Sequence, residues 1–213
     1  GSIDDSIGLG VTFRLISQLI SCLIIIGSGL VVTNVGEYNF LPNINIGILS
    51  IIFTVFCVIG LTNAFNFIDG VDGLCGGMFL VSLFSLLIFS FYSETFYLIY
   101  DVKLIYIIFI SVLLFLLFNF TSFYKVFLGD SGSMFLGFIL SWFLIFYTQI
   151  EEIIHPVLAL WCVTLPTFDI ISVIIRRLLR KKNPFKADRR HIHHILLNIG
   201  YDSKIVTIFL LSF

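Results

Sequence analysis

The sequence predicts an all-α, polytopic membrane helix bundle, and three observations lead there. The 213 residues are 59% hydrophobic and 12% charged, with a mean hydropathy of +1.09. Soluble domains average about 45–50% apolar and about 25% charged residues. The apolar residues fall in runs near the ~20 residues a helix needs to cross a hydrocarbon core. Polar residues are gathered into short connections between those runs. The runs are too long and too evenly apolar for barrel strands, which alternate over about 9–11 residues.

In chain order, a polar opening carrying Asp4-Asp5 precedes a first span over residues 13–32. The connection 33–45 holds Glu37, Pro42 and several asparagines, and a second span follows over 46–65. A third span covers 74–92, then a polar turn from Ser93-Glu94 to Asp101. The fourth, 102–118, ends in a loop over 119–133, and the fifth runs 134–150. Glu151-Glu152 and His155-Pro156 make a turn, Pro156 suiting a helix start where its missing N–H is not needed. The sixth span, 157–175, feeds a basic stretch, and a last one begins near Ile205 and is cut off. The chain opens on Gly1 and stops inside an apolar run, without a signal-peptide pattern. It is therefore expected to be a fragment of one membrane-embedded domain, 1–213, with further helices at both ends. Cys22, Cys57, Cys75 and Cys162 are dispersed without metal-ligand spacing and read as apolar packing residues.

Counting spans yields a topology. Asp4-Asp5, the Asn66/Asp69/Asp72 stretch, the Gly129-Asp130 stretch and the segment from Arg176 to His194 are each separated by two spans, so all four share one side. The net charge of −1 conceals an asymmetry: eight of the 12 Lys and Arg residues lie between Arg176 and Arg190. That excess marks the side as cytoplasmic. One polar site assembled from four segments is expected there.

The residue types suggest its chemistry. Asn66, Asp69 and Asp72 are spaced to line one face of a helix near its end, with Gly70 and Gly73 loosening the backbone. Carboxylates so close to lipid are costly unless they face protein, water or an ion. Several carboxylates with few soft ligands suit Mg²⁺, with Mn²⁺ as an alternative, and magnesium takes only one or two carboxylates. The remaining aspartates are then expected to orient a nucleophile, hold a Lys or Arg, or contact substrate. Gly129-Asp130-Ser131-Gly132-Ser133 puts small residues around one carboxylate before a helix, either a phosphate cradle or a plain cap. Lys125 reads equally as a phosphate contact or a membrane anchor. Asp188-Arg189-Arg190-His191-Ile192-His193-His194 gathers three of the four histidines; no zinc pattern accompanies them, and Arg with His suits phosphate. Arg176, Arg177, Arg180, Lys181 and Lys182 read as an anchor beside anionic headgroups. Asp169, inside span six, is expected either to face the site or to hydrogen-bond another helix, the second reading being preferred. Arg14 and Gln18, one turn apart, are expected to hold Asp4, Asp5 or a phosphate, and His155 to be a loop residue on the far side.

These four motifs, Ile3-Asp4-Asp5, residues 63–74, residues 126–133 and residues 188–194, resemble the polyprenyl-phosphate N-acetylhexosamine-1-phosphate transferases of glycosyltransferase family 4. The His-Ile-His-His form looks like the WecA-like branch. Gly8 stands where some members carry a third acidic residue, and the family's ten or eleven helices exceed those visible here. The resemblance implies attack of a polyprenyl (undecaprenyl) phosphate on the β-phosphate of a UDP-N-acetylhexosamine, by default UDP-N-acetylglucosamine, with release of UMP. It implies Mg²⁺ held first by Asp130 and second by Asp72, and Asp4 or Asp5 acting on the lipid phosphate. Asn66, Asp69 and Asp72 would position nucleotide and diphosphate. Asp188, Arg189, His191, His193 and His194, with Lys125, would contact diphosphate or sugar. The setting implied is the bacterial cytoplasmic membrane, multi-pass, with the site on the cytoplasmic face. Nucleic acid is not an expected partner, and the sequence is compatible with a homodimer without deriving one. Two other readings are a secondary transporter, which would place acids near mid-membrane, and a CDP-alcohol phosphotransferase, whose Ala-Arg after the first Asp-Gly is missing.

Overall fold

The computed structural model describes residues 10–38, 44–92, 101–120, 125–181 and 191–212. Among these, extended structure is confined to isolated bridge positions such as the antiparallel pair Asn34 with Asn45, and the rest of the regular structure is helical. The helices are α1 (Val11–Ile26), α2 (Ser50–Ile68), α3 (Leu74–Phe91), α4 (Asp101–Phe120), α5 (Gly129–Gln149), α6 (Pro156–Cys162), α7 (Thr164–Leu179), α8 (Ile192–Ile199) and α9 (Ser203–Leu211). A 3₁₀ turn, Gly47–Leu49, leads into α2. Four segments are long and apolar enough to cross a membrane: Gly47–Ile68, Leu74–Phe91, Lys103–Phe120 and Gly129–Gln149. This is a membrane protein. Its outward side chains, such as Ile52, Phe56, Ile107 and Trp161, are large, apolar and exposed, as lipid contact requires.

Two predicted spans need correction. The first is a helix of only 16 residues, because Gly27-Ser28-Gly29 ends it with Gly29 at φ +95°. Beyond that turn the chain is extended, and the Val32 N–H donates to Thr54 Oγ1 at 2.9 Å. The sixth is broken into two helices, α6 and α7, bent by 83° at Val163, which only together are long and apolar enough to cross a membrane. Pro166 explains the break: it has no N–H to reach the Cys162 carbonyl, and its ring crowds the preceding turn. The carbonyl so freed accepts from Ser82 Oγ of α3 at 2.7 Å, satisfying a group that lipid would leave bare.

Helices α2 and α5 form the central pair. Gly137 permits their close crossing, since a Cβ there would sit 2.9 Å from Thr62 Cα and 2.9 Å from Phe65 Cβ. Around that contact Phe65, Ile68, Leu140 and Tyr147 are fully buried. Helices α1 and α7 flank α2, while α4, α6 and α9 pack on α3. The two ends of the bundle are chemically distinct. At one end Gln149 Oε1 accepts from Thr33 N at 2.9 Å, and His155 caps α6 while Nε2 meets the Glu37 carbonyl at 3.1 Å. The other end carries Asn66, Asp69, Asp72, Asp130 and His191.

Candidate active site

Asp130 lies in the first turn of α5, which starts at Gly129, so the expected Gly129–Ser133 loop is helix instead. A carboxylate there is favoured by the helix dipole. Its Oδ1 accepts from Asn66 Nδ2 at 3.1 Å and its Oδ2 from Arg14 Nη1 at 2.9 Å. Asn66 also donates to Ser133 Oγ at 3.1 Å, one turn further along α5. Three segments thus meet at one carboxylate: the start of α1, the end of α2 and the start of α5. Among the described residues Arg14 pairs with Asp130, a partner not expected from the sequence, while Asp4 and Asp5 lie outside them. Gln18 accepts from Asn63 Nδ2 at 2.9 Å, tying α1 to α2.

Asn66, Asp69 and Asp72 do not share a helix face. Helix α2 ends at Ile68, Asp69 turns out of it at φ −75°, ψ 42°, and Asp72 follows in the turn before α3. The turn nevertheless gathers charge. Burial, then the charges of Asp130 and Asp72, push the Asp69 carboxyl up from 3.8 to about 7. Lys125 Nζ donates to Asp72 Oδ2 at 2.6 Å and lies over the Phe127 ring at 5.1 Å. The Asp72 carbonyl accepts from Thr207 Oγ1 of α9 at 2.9 Å. Gly73 takes φ +75°, which favours glycine, and a side chain there would also meet Phe120.

The histidine cluster joins this end through Gly70. A Cβ at Gly70 would collide with the His193 ring, so glycine is what admits it. His193 is fully buried, and neither ring nitrogen has a partner among the described residues. Burial, then the charges of His194 and His191, push it down from 6.5 to about 4. His191 Nδ1 is 2.7 Å from Asp169 Oδ2, and its ring lies 5.2 Å from that of Phe67, interplanar angle 23°. His194 packs against His193, ring centroids 4.2 Å apart. Asp169 does hydrogen-bond another helical segment, as expected. Phe67 was given no role in the sequence, though it had a signal, an aromatic inside the motif that supplies Asn66 and Asp69. Asp4, Asp5, Asp188 and Arg189 lie outside the described residues.

The donor set suits a hard divalent cation. Asp69, Asp72 and Asp130 supply only oxygens, and a cation beside them would offset the burial of Asp69 and, secondarily, its repulsion by Asp130 and Asp72. No cluster of three or more His, Cys, Asp or Glu side chains is found among the described residues.

Apolar helices enclosing a polar site of acids, amides and histidines at one end define a polytopic membrane protein with end-on polar chemistry. The profile of glycosyl transferase family 4 matches residues 1–148, and the chain belongs to that family. It is 34% identical over 206 residues to an undecaprenyl-phosphate alpha-N-acetylglucosaminyl 1-phosphate transferase of Yersinia pestis, covering 96% of this chain and 56% of that protein. The protein of that name from Escherichia coli K12 is 31% identical over 207 residues, with coverage of 96% and 56%. One from Haemophilus influenzae is 42% identical over 82 residues, covering 38% of this chain and 23% of that protein. The chain spans about half the length of the first two relatives.

Proposed function

We propose that the full-length protein transfers N-acetylglucosamine 1-phosphate from its UDP derivative to undecaprenyl phosphate in the bacterial cytoplasmic membrane, at a site facing the cytoplasm. The observation that carries this is the meeting of Arg14, Asn66 and Asp130 beside Asp69, Asp72, Lys125 and the histidines, at the end of an apolar bundle. Such a place lets a lipid-borne phosphate and a soluble nucleotide reach one another.

The lipid phosphate oxygen forms a bond to the β-phosphorus as the bond from that phosphorus to the bridging oxygen breaks. UMP leaves with that oxygen, and a polyprenyl-diphospho-sugar remains. The incoming phosphate is already ionised near neutral pH, so catalysis is chiefly positioning and neutralisation of charge. Arg14 and Asn66 hold the two oxygens of Asp130 in place. Lys125, oriented by Asp72, supplies positive charge beside the diphosphate. His191 and His194 contact diphosphate or sugar, together with Asp188 and Arg189, with the buried His193 packed behind them against Gly70, while Asp4 and Asp5 serve the lipid phosphate. Magnesium, or manganese, held by Asp130 first and Asp72 second, would neutralise charge on the phosphate oxygens when bound.

The test is transfer of labelled sugar phosphate to lipid by the intact protein across a panel of UDP-sugars, with UMP release followed in parallel. Labelled lipid is expected only with polyprenyl phosphate and divalent metal present. No labelled lipid from folded protein with any donor would reject this function.

A further inference from the structure

Asp169 is a carboxylate that the reaction above does not use, and it sits on apolar α7 with only 8% of its side chain exposed. An acid so enclosed is costly unless its oxygens are paired. Both are, and by one short segment. Oδ2 lies 2.7 Å from His191 Nδ1, and Oδ1 accepts the Ile192 N–H at 3.0 Å. His191 is the N-cap residue of α8 yet makes no side-chain cap bond, so Asp169 performs that task from another helix.

The pairing also orients a ring. A carboxylate accepts only, so Nδ1 of His191 carries the hydrogen and Nε2 is left to face a ligand. Phe67 and His193 lie nearly parallel to the same ring, at interplanar angles of 23° and 11°. The imidazole is thus held by one hydrogen bond and two ring faces.

We propose that Asp169 is a positioning residue for the transfer reaction, setting the Nδ1–H tautomer of His191 and the start of α8 so that the histidines meet the donor in one orientation. This rests on the reading that those histidines contact the donor's diphosphate. A cap alone requires only an acceptor for the Ile192 N–H, which asparagine supplies. An asparagine amide, however, would oppose its N–H to that of Nδ1 and force the ring to turn or change tautomer.

The variants are Asp169→Asn, Asp169→Glu, His191→Gln and the double Asp169→Asn/His191→Gln, made in the full-length protein in lipid. Asp169→Asn is expected to lower kcat about 10- to 100-fold, the usual cost of losing a partner that orients a working histidine. Its thermal midpoint and donor KM should change little, and Asp169→Glu should restore part of the turnover. The double variant should be no slower than His191→Gln alone, because both changes act through one ring. Wild-type kcat in Asp169→Asn, or losses that multiply in the double, would overturn the proposal. Should Asp169→Asn not fold, ¹⁵N-histidine spectra of the wild-type protein decide, with His191 assigned by loss of its signal in His191→Gln. A neutral His191 ring protonated at Nδ1 supports the proposal, and one protonated at Nε2 overturns it. Full turnover in His191→Gln would instead remove the reading beneath it, an outcome distinct from failure at Asp169 alone.

Discussion

Asp130 is half exposed, its side chain at 52%, and its ion pair with Arg14 is therefore weak as a fold-stabilising contact, worth about 0–1 kcal/mol. Its value lies in where it puts a carboxylate. Asp130→Asn should accordingly leave the thermal midpoint almost unchanged while lowering transfer about 100-fold or more, the scale of losing a main electrostatic contact. Parallel melting and lipid-labelling assays check this, and wild-type turnover would reject its proposed metal role. His193 makes a pH prediction. Its folded value is about 4 against an ordinary 6.5, so between those limits the unfolded chain binds a proton that the folded chain does not. Its contribution to stability is fully present above that window and falls as pH drops through it. Asp69 opposes this: held near 7 rather than 3.8, it keeps a proton in the folded state and favours folding as pH falls. His193→Gln should therefore flatten any loss of thermal midpoint between pH 7 and pH 5, and Asp69→Asn should deepen it. Melting curves in detergent across that range distinguish the two.

At the scale of elements, the break between α6 and α7 is the feature hydropathy alone misplaces. Residues 157–175 read as one apolar run, and they are, but Pro166 removes one rung of the ladder. The bend holds because Ser82, from a helix 80 residues away in sequence, takes the Cys162 carbonyl. Ser82→Ala should leave that carbonyl unpaired at a cost of about 1–3 kcal/mol. Reversible unfolding of the wild-type and variant proteins measures it, and an unchanged midpoint would mean water or another donor replaces the hydroxyl. Helix α8 shows the converse: its eight residues are too few to be stable alone. The Asp169 cap and the seat of His193 against Gly70 hold it instead.

Across the whole molecule, the motif-bearing end and the Gln149–His155 end are separated by the length of the bundle, which makes the topology measurable. Ser131→Cys and Tyr201→Cys should react with a membrane-impermeant thiol reagent from the same side, and Glu37→Cys from the opposite one. Labelling of Ser131→Cys and Tyr201→Cys from opposite sides would break the single-site arrangement. The membrane class and most helix positions were legible in the residues alone, since apolar run length and local composition are properties of adjacent positions. Helix α2 and helix α5 accordingly lie close to where hydropathy places them, differing chiefly at their polar ends. Which polar groups meet was not legible, because partners such as Arg14 and Asp130 stand 116 residues apart and the spacing of neither motif specifies the other. Spacing suggested one helix face for Asn66, Asp69 and Asp72; the chain leaves the helix at Asp69, and only the packing of α5 and α8 against that turn brings Asp130 and His193 to it. Sequence determined that this chain lies in a membrane and carries acids and histidines at one end. Tertiary structure decided which acid answers to which cation and which histidine an acid holds, because both depend on contacts between distant segments.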